Sequence, residues 1–239
     1  MEYGNVFLNE AIRVISVIQE QENEKIEKVS DLLSASIMKG NIAHIFGTGH
    51  SAMAGKEMFT RAGTLSCFRI VGMRYDLEKF ERLEGIAAVI LEDHEIKPGE
   101  LFFIFSSSGR NPIPVEMALA AKKKGAVIVA VSSMEHSLAV PSRHSSGKKL
   151  FEIADIVIDT HTTAGDASIE IPGLPMKVGP LSSIANIAII DAIVVETIAR
   201  VVAAGGKPPV RISRNMPGGD ENNQKFKEIY GNRIPEIKM

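Results

Sequence analysis

The chain has 239 residues, 45% apolar and 23% charged, enough to bury a full core in one domain with appendages. A net charge of −2 and a sequence pI near 6.3 supply no global basic field, which argues against nucleic acid as the main partner. Cys67 is the sole cysteine, so neither an intrachain disulfide framework nor a cysteine zinc site can form.

Residues 6–38 place apolar side chains at helical spacing (Val6, Phe7, Ala11, Val14, Ile15 and Ile18, then Ile26, Val29, Leu33 and Ile37). A charged stretch at 20–28 lies between the two sets, which predicts two helices or one broken helix ahead of the sheet. Glu2, Glu10 and Arg13 interrupt the first apolar pattern, as a signal peptide does not, so a cytoplasmic location is expected. A short apolar run at 42–46 predicts a strand, and Gly47-Thr48-Gly49-His50-Ser51 leads from it into a helix over 52–61 that stops before Gly63. Residues 66–71 form another strand, followed by a mixed segment at 75–91 that holds Glu81, Arg82 and Glu84 close together.

Residues 101–105, Leu-Phe-Phe-Ile-Phe, predict a buried parallel strand. It stops at Ser106-Ser107-Ser108-Gly109-Arg110-Asn111, and a helix over 115–124 follows, ended by Gly125. Residues 126–131 are a β-branched strand leading to Ser132 and Ser133, and 135–149, with His136 and His144, read as a loop or short helix. A strand over 153–158 contains Asp155, with Asp159 just after it. The loop-rich stretch 160–179 is long enough to cover something. Ser182 or Ser183 caps a long apolar helix to Ala204, in which Asp191, Glu196 and Arg200 exclude a membrane span. The tail from Gly205 is rich in proline and glycine, with an amphipathic piece at 226–230.

The expected organisation is a helical appendage (1–40), a sheet domain (41–205) and a tail (206–239) that packs on the domain or on a neighbouring subunit. Strands that alternate with helices and are apolar almost throughout predict an α/β fold with a doubly wound, mostly parallel sheet between two helical layers, a three-layer αβα sandwich. Ligands of such sheets sit at the carboxyl ends of strands near a topological switch point. Both polar turns fall at strand ends of that kind.

The glycines at 47 and 49 let the backbone turn tightly, and Gly47 to Ala52 fit the loose dinucleotide pattern G-x-G-x-x-G/A. Against a dinucleotide, the next strand has no acidic residue near its end until Asp76. The serine turn offers three hydroxyls plus the Asn111 amide, where an ordinary N-cap needs one such side chain. Placed at the positive end of a helix, it reads as a phosphate cradle. Each charge-assisted hydrogen bond to a phosphate is worth roughly 1.5–3 kcal/mol, and a favourable helix end adds up to about 2 kcal/mol, so no lysine is required.

Ser106 to Asn111, the helix at 116–125 and the strand ending at Ser132 resemble the signature of the SIS (sugar isomerase) domain, roughly S-x-S-G-x-T/S/N, a helix ending A-K-x-x-G, then an apolar strand. The turn at 47–51 resembles that family's first loop. The likeness is strongest to stand-alone phosphosugar-binding members, with phosphoheptose isomerases and N-acetylmuramate-6-phosphate etherases more distant. It implies a flavodoxin-like fold, a homodimer or homotetramer with sites between subunits, and no cofactor, nucleic acid or membrane partner. It also implies that Gly49, Ser51, Ser106, Ser107, Ser108 and Asn111, with Ser132 or Ser133 nearby, hold the phosphate of a sugar phosphate.

Aldose–ketose isomerisation needs a base and usually an acid. Glu57 is the candidate base, although an i,i+4 pair with Arg61 is its plainer reading, and relatives carry their glutamate further along, where this chain has Thr60 and Arg61. Glu84, followed by Gly85, resembles the second carboxylate of the etherases, and His50 and His144 are candidate acids. His44 lies within a strand and reads as structural. His94, His136 and His161 show no ligand spacing, so no metal site is expected. The last long helix offers Asn186, Asp191 and Glu196 where heptose isomerases place a glutamine, a glutamate and histidines, so heptose isomerisation itself is not expected. The reading is a phosphosugar isomerase, with an etherase-like lyase, or a non-catalytic sugar-phosphate sensor acting through a protein partner, as alternatives.

Overall fold

The computed structural model describes residues 2–72, 77–92 and 94–238; Tyr75 and Asp76 of the mixed segment lie outside the described residues. The N-terminal periodicity resolves into two helices, α1 (Glu2–Gln21) and α2 (Asn23–Met38), which bury Val14, Ile18, Val29 and Leu33. Glu22 marks the break between them and is itself buried.

Five strands form one parallel sheet: β1 (Ala43–Gly47), β2 (Phe68–Ile70), β3 (Leu101–Phe105), β4 (Val127–Ser132) and β5 (Ile156–Asp159). Their order is β2-β1-β3-β4-β5, the flavodoxin-type arrangement, with its switch point between β1 and β3. The strands are apolar on both faces because helices cover both. Leu101, Phe103 and Phe105 enter a core with α1, α2, α3 (Met53–Met58) and the long α7 (Ser182–Ala203). Phe102 and Ile104, pointing the other way as a pleated strand requires, meet α4 (Ile86–Glu92) and α5 (Pro112–Lys123). A short helix, α6 (Met134–Ala139), follows β4. No described helix is long and apolar enough to cross a membrane.

Several local expectations change. The strand expected at 153–158 begins only at Ile156, because a 3-10 turn occupies Leu150–Glu152, so Asp155 precedes β5 and Asp159 ends it. The helix after the first turn is shorter than 52–61, because Gly49–Ala52 forms a 3-10 turn and α3 ends at Met58. There the Thr64 hydroxyl donates to the freed carbonyls of Met58 and Arg61, and Thr60 takes a left-handed φ of 59°. The stretch 160–179 contains a two-stranded antiparallel ribbon, β6 (Ala167–Ile169) and β7 (Val178–Pro180). Neither Ser182 nor Ser183 caps α7: the Asp166 carboxylate accepts from the Leu181 and Ser182 amides at 3.0 and 2.7 Å and from the Ser182 hydroxyl at 2.7 Å.

The tail contains α8 (Gly219–Tyr230), longer than its amphipathic piece suggested, and Ile234 and Ile237 complete the α1–α2–α7 core. At the amino ends of the strands His44 Nε2 lies 3.0 Å from Glu100 Oε2, and Glu100 also accepts from the Ile42 and Lys97 amides and from Arg233. Burial pushes the Glu100 carboxyl up, but the hydrogen bonds from His44, Arg233 and the two amides outweigh it and hold the group well below the carboxylate range.

Candidate functional site

Gly47, the last residue of β1, pairs with Phe105, the last of β3, so the two polar turns emerge side by side at the switch point. In the first turn the chain doubles back on itself: a Cβ on Gly47 would stand 2.6 Å from the Ser51 carbonyl oxygen, so no larger residue fits. Gly49 has a φ of +52°, which glycine adopts without strain. The Ser51 amide donates to the Thr48 carbonyl, and Thr48 Oγ1 donates to Glu81. The Ser51 hydroxyl is half-buried with no partner among the described residues, and His50 is exposed. A cavity of about 210 Å³ opens here, lined by Thr48, Gly49, Gly72 and Glu78 and by Lys56 of α3. Lys56, a single lysine on a short helix, carries no motif that marks it in the sequence.

The serine turn is pinned by its backbone and leaves hydroxyls unused. Ser107 O accepts from the Ser133 amide at 3.0 Å, and Ser108 O from the Ser137 hydroxyl at 2.7 Å. Ser106 Oγ turns inward and accepts from the Gly109 amide at 3.2 Å. The hydroxyls of Ser107 and Ser108 are half-buried and have no partner among the described residues. Gly109, at a φ of +58°, has Leu150 so close that a Cβ would stand 3.1 Å from that side chain. Asn111 holds the N-cap position of α5 with Pro112 behind it, yet its side chain does not cap; Asn111 Oδ1 accepts from Arg143 at 2.9 Å. Ser132 is fully buried and its hydroxyl has no partner among the described residues, whereas the Ser133 hydroxyl donates to Thr162 O and caps α6 through the His136 amide.

Positive charge gathers at these turns. Arg110 lies within the serine turn with its Nε sealed from water and unpartnered among the described residues. The Arg143 guanidinium is pushed down, first by desolvation and then by the charges of Arg110 and Arg82, with Glu81 acting against them. Such an arrangement attracts an anion.

The four candidate acid–base residues separate. Glu57 pairs with Arg61 at 2.6 Å, the plainer reading of that residue, and faces α7, where Asp191 is pushed up by burial first and then by the Glu57 charge. His50 stays in the first turn. Glu84 and His144 come together, joined by Glu116 of α5: His144 Nε2 lies 4.0 Å from Glu84 Oε2 and 3.8 Å from Glu116 Oε1. Glu84 accepts from the Ser145 hydroxyl at 2.7 Å and the Ser145 amide at 2.6 Å, which hold its carboxyl below the ordinary range. Glu116 accepts from the Gly85 amide at 2.6 Å.

The Ser146 amide donates to His144 Nδ1 at 3.2 Å, so the proton of the neutral ring sits on Nε2, facing the two carboxylates. One ligand atom from each of these three side chains lies within 4.8 Å of the others, a cation-sized grouping that sequence spacing did not anticipate. A ring nitrogen carrying a proton toward the carboxylates suits proton transfer better than metal ligation. Glu116 escaped the sequence reading because a single acid within an amphipathic helix looks like a solvated residue. Its one signal was its position in the apolar run 112–121.

A parallel sheet of this order, with paired hydroxyl-rich turns at its switch point, defines a doubly wound α/β protein. Within that class, a sequence model of the SIS domain matches residues 6–133, and the chain belongs to the SIS domain family. It is 35% identical over 231 residues to a UPF0309 protein of Geobacillus kaustophilus, covering 93% of this chain and 92% of that one. Among solved structures it is similar to the phosphoheptose isomerase GmhA of Neisseria gonorrhoeae, with a TM-score of 0.60, 14% identity, and coverage of 83% of this chain and 98% of that chain. It is also similar to Vibrio vulnificus NanR complexed with ManNAc-6P, with a TM-score of 0.55, 14% identity, and coverage of 97% and 70%. At these identities the two structures testify to a shared fold.

Proposed function

We propose that the chain binds a sugar phosphate in the paired turns and isomerises it. The observation that carries this is the juxtaposition of unused hydroxyls on Ser51, Ser107 and Ser108 at the β1/β3 switch point with Arg110 in the serine turn and Arg143 bonded to Asn111. In this reading the phosphate accepts from those hydroxyls and from the Asn111 side-chain amide, while Gly49 and Ser106 shape the two turns. Ser132 and Ser133 form the floor. The sugar extends toward Glu84, Glu116 and His144. Glu84 takes the proton from the carbon next to the carbonyl while His144 Nε2–H protonates the carbonyl oxygen, giving an enediol, and the reverse transfers at the neighbouring carbon complete the isomerisation. Ser145 holds Glu84 too acidic for this work, so a substrate hydroxyl that takes over Ser145 restores its basicity. Glu57, tied to Arg61, serves structure.

The test is a thermal-shift screen of hexose, amino-sugar and muramyl phosphates followed by turnover assays. A ligand at about 100 times its dissociation constant adds about 2.7 kcal/mol of stability. Ser108→Ala is expected to abolish the shift, and Glu84→Gln to keep it but lose turnover. No shift with any ligand, or an undiminished shift in Ser108→Ala, overturns the proposal. Release of lactate from a muramyl phosphate identifies the lyase. Binding without turnover across the panel identifies the sensor, a reading supported by the fold shared with a protein complexed with ManNAc-6P over 97% of this chain.

A further inference from the structure

A second group of cations lies away from the paired turns, and it includes a buried guanidinium without a counter-ion. Arg211 is only 7% exposed, yet its side chain has no hydrogen bond or ion pair among the described residues, and its Nε and Nη1 are sealed from water. It lines a cavity of about 440 Å³, together with Arg214, Lys227, Gln224, Asp220 and Glu221. Burying an unpaired charge is costly, and folds avoid it unless something else neutralises the charge. Neither carboxylate of the wall, Asp220 or the exposed Glu221, forms an ion pair with Arg211 among the described residues. Asp220 is engaged by Arg214 at 2.9 Å, and the charge that bears on Arg211 is that of Arg214, of the same sign.

The walls are tied together by backbone and side-chain hydrogen bonds. The Arg211 amide donates to Thr64 O and its carbonyl accepts from the Gly63 amide, so residues 210–211 run as an added strand beside the entry to β2. From α8 the Asn223 side chain grips both the amide and the carbonyl of Ile212, at 3.1 and 2.7 Å, and Asn222 donates to Val210 O. Gly219 is pressed so closely on Ser213 that a Cβ would stand 2.2 Å from its carbonyl oxygen. Because Thr64 precedes β2, this cavity lies at the amino ends of the strands, opposite the two turns.

We infer that the Arg211 cavity is a second anion site, distinct from the paired turns, that takes a small phosphate-bearing metabolite. Arg211 supplies the buried charge, Lys227 a second cation from α8, and Gln224 amide donors, in a volume suited to a small ligand.

The probe is inorganic phosphate, titrated against the full chain carrying Ser107→Ala and Ser108→Ala so that the paired turns are disabled. The unfolding midpoint is expected to rise and saturate, by about 5 °C at 100 times the dissociation constant. Arg211→Gln is expected to abolish the rise, and Lys227→Ala to weaken phosphate binding about tenfold. Potassium chloride at matched ionic strength is expected to give no saturable rise, and malonate a smaller one than phosphate. An equal rise in Arg211→Gln, an equal rise with chloride, or no rise at all overturns the site; a malonate effect larger than that of phosphate overturns the assignment to phosphate. Should Arg211→Gln fail to fold, Lys227→Ala and Gln224→Ala at the edge of the cavity decide, and unchanged phosphate affinity in both overturns the site.

Discussion

His94 Nδ1–H donates to the Ile90 carbonyl at 2.8 Å while Nε2 is sealed without a partner among the described residues. Burial, then the positive charge of Arg69, lowers its pKa from 6.5 to about 4. Between those values the unfolded chain takes up a proton that the folded chain refuses, so stability falls as pH falls through that window, by up to about 3 kcal/mol. His44 acts with the same sign, since burial outweighs the hydrogen bond it donates to Glu100. The urea midpoint is therefore expected to drop between pH 7 and 4.5, and His94→Leu to flatten that drop; an unchanged slope in the variant refutes the assignment. The structural reading of His44 was legible because a histidine inside an apolar strand is seldom a ligand. Its partner Glu100 was not, since 56 residues separate the two and only strand pairing brings them together.

At the scale of elements, β3 and β4 were legible because a continuous run of apolar or β-branched residues has no other comfortable place in a soluble fold. The cap of α7 was not. A serine before an apolar helix looks like a cap, but Asp166, fifteen residues away from Leu181 and held at a φ of 71°, wins because a carboxylate accepts several amide bonds at once. Asp166→Ala is expected to cost about 2 kcal/mol, through the lost cap and the left-handed backbone together. Asp166→Gly, which relieves the backbone, is expected to cost less. Equal losses in chemical denaturation refute the backbone part of the argument. The helix after the first turn was overestimated for a related reason: the bonds from Thr64 that close it come from the loop beyond it.

At the scale of the whole molecule, the sheet has two differently used ends. The carboxyl ends carry the paired turns, whereas at the amino ends the tail closes on Glu100 through Arg233 and feeds Ile234 and Ile237 into the core. Glu100 is fully buried, so Glu100→Gln removes the buried partner of Arg233, leaving it only the exposed Glu95 at 3.0 Å, and is expected to destabilise the fold by about 3 kcal/mol. Combined with Arg233→Met, the loss is expected to be less than the sum of the single losses, because both break the same pair. Additive losses refute the coupling.

The sequence by itself determined the alternation of strands and helices and the two glycine- and serine-rich turns that end β1 and β3. Periodicity, turn residues and helix ends are properties of neighbours in the chain. Only the tertiary structure decided that Gly47 and Phe105 lie side by side, that Glu84, Glu116 and His144 meet while Glu57 does not join them, and that Arg211 is buried facing a cavity. Those relations depend on strand order and on loops closing over distance, and the energies that select them come from burial and from hydrogen bonds between residues that no local pattern links.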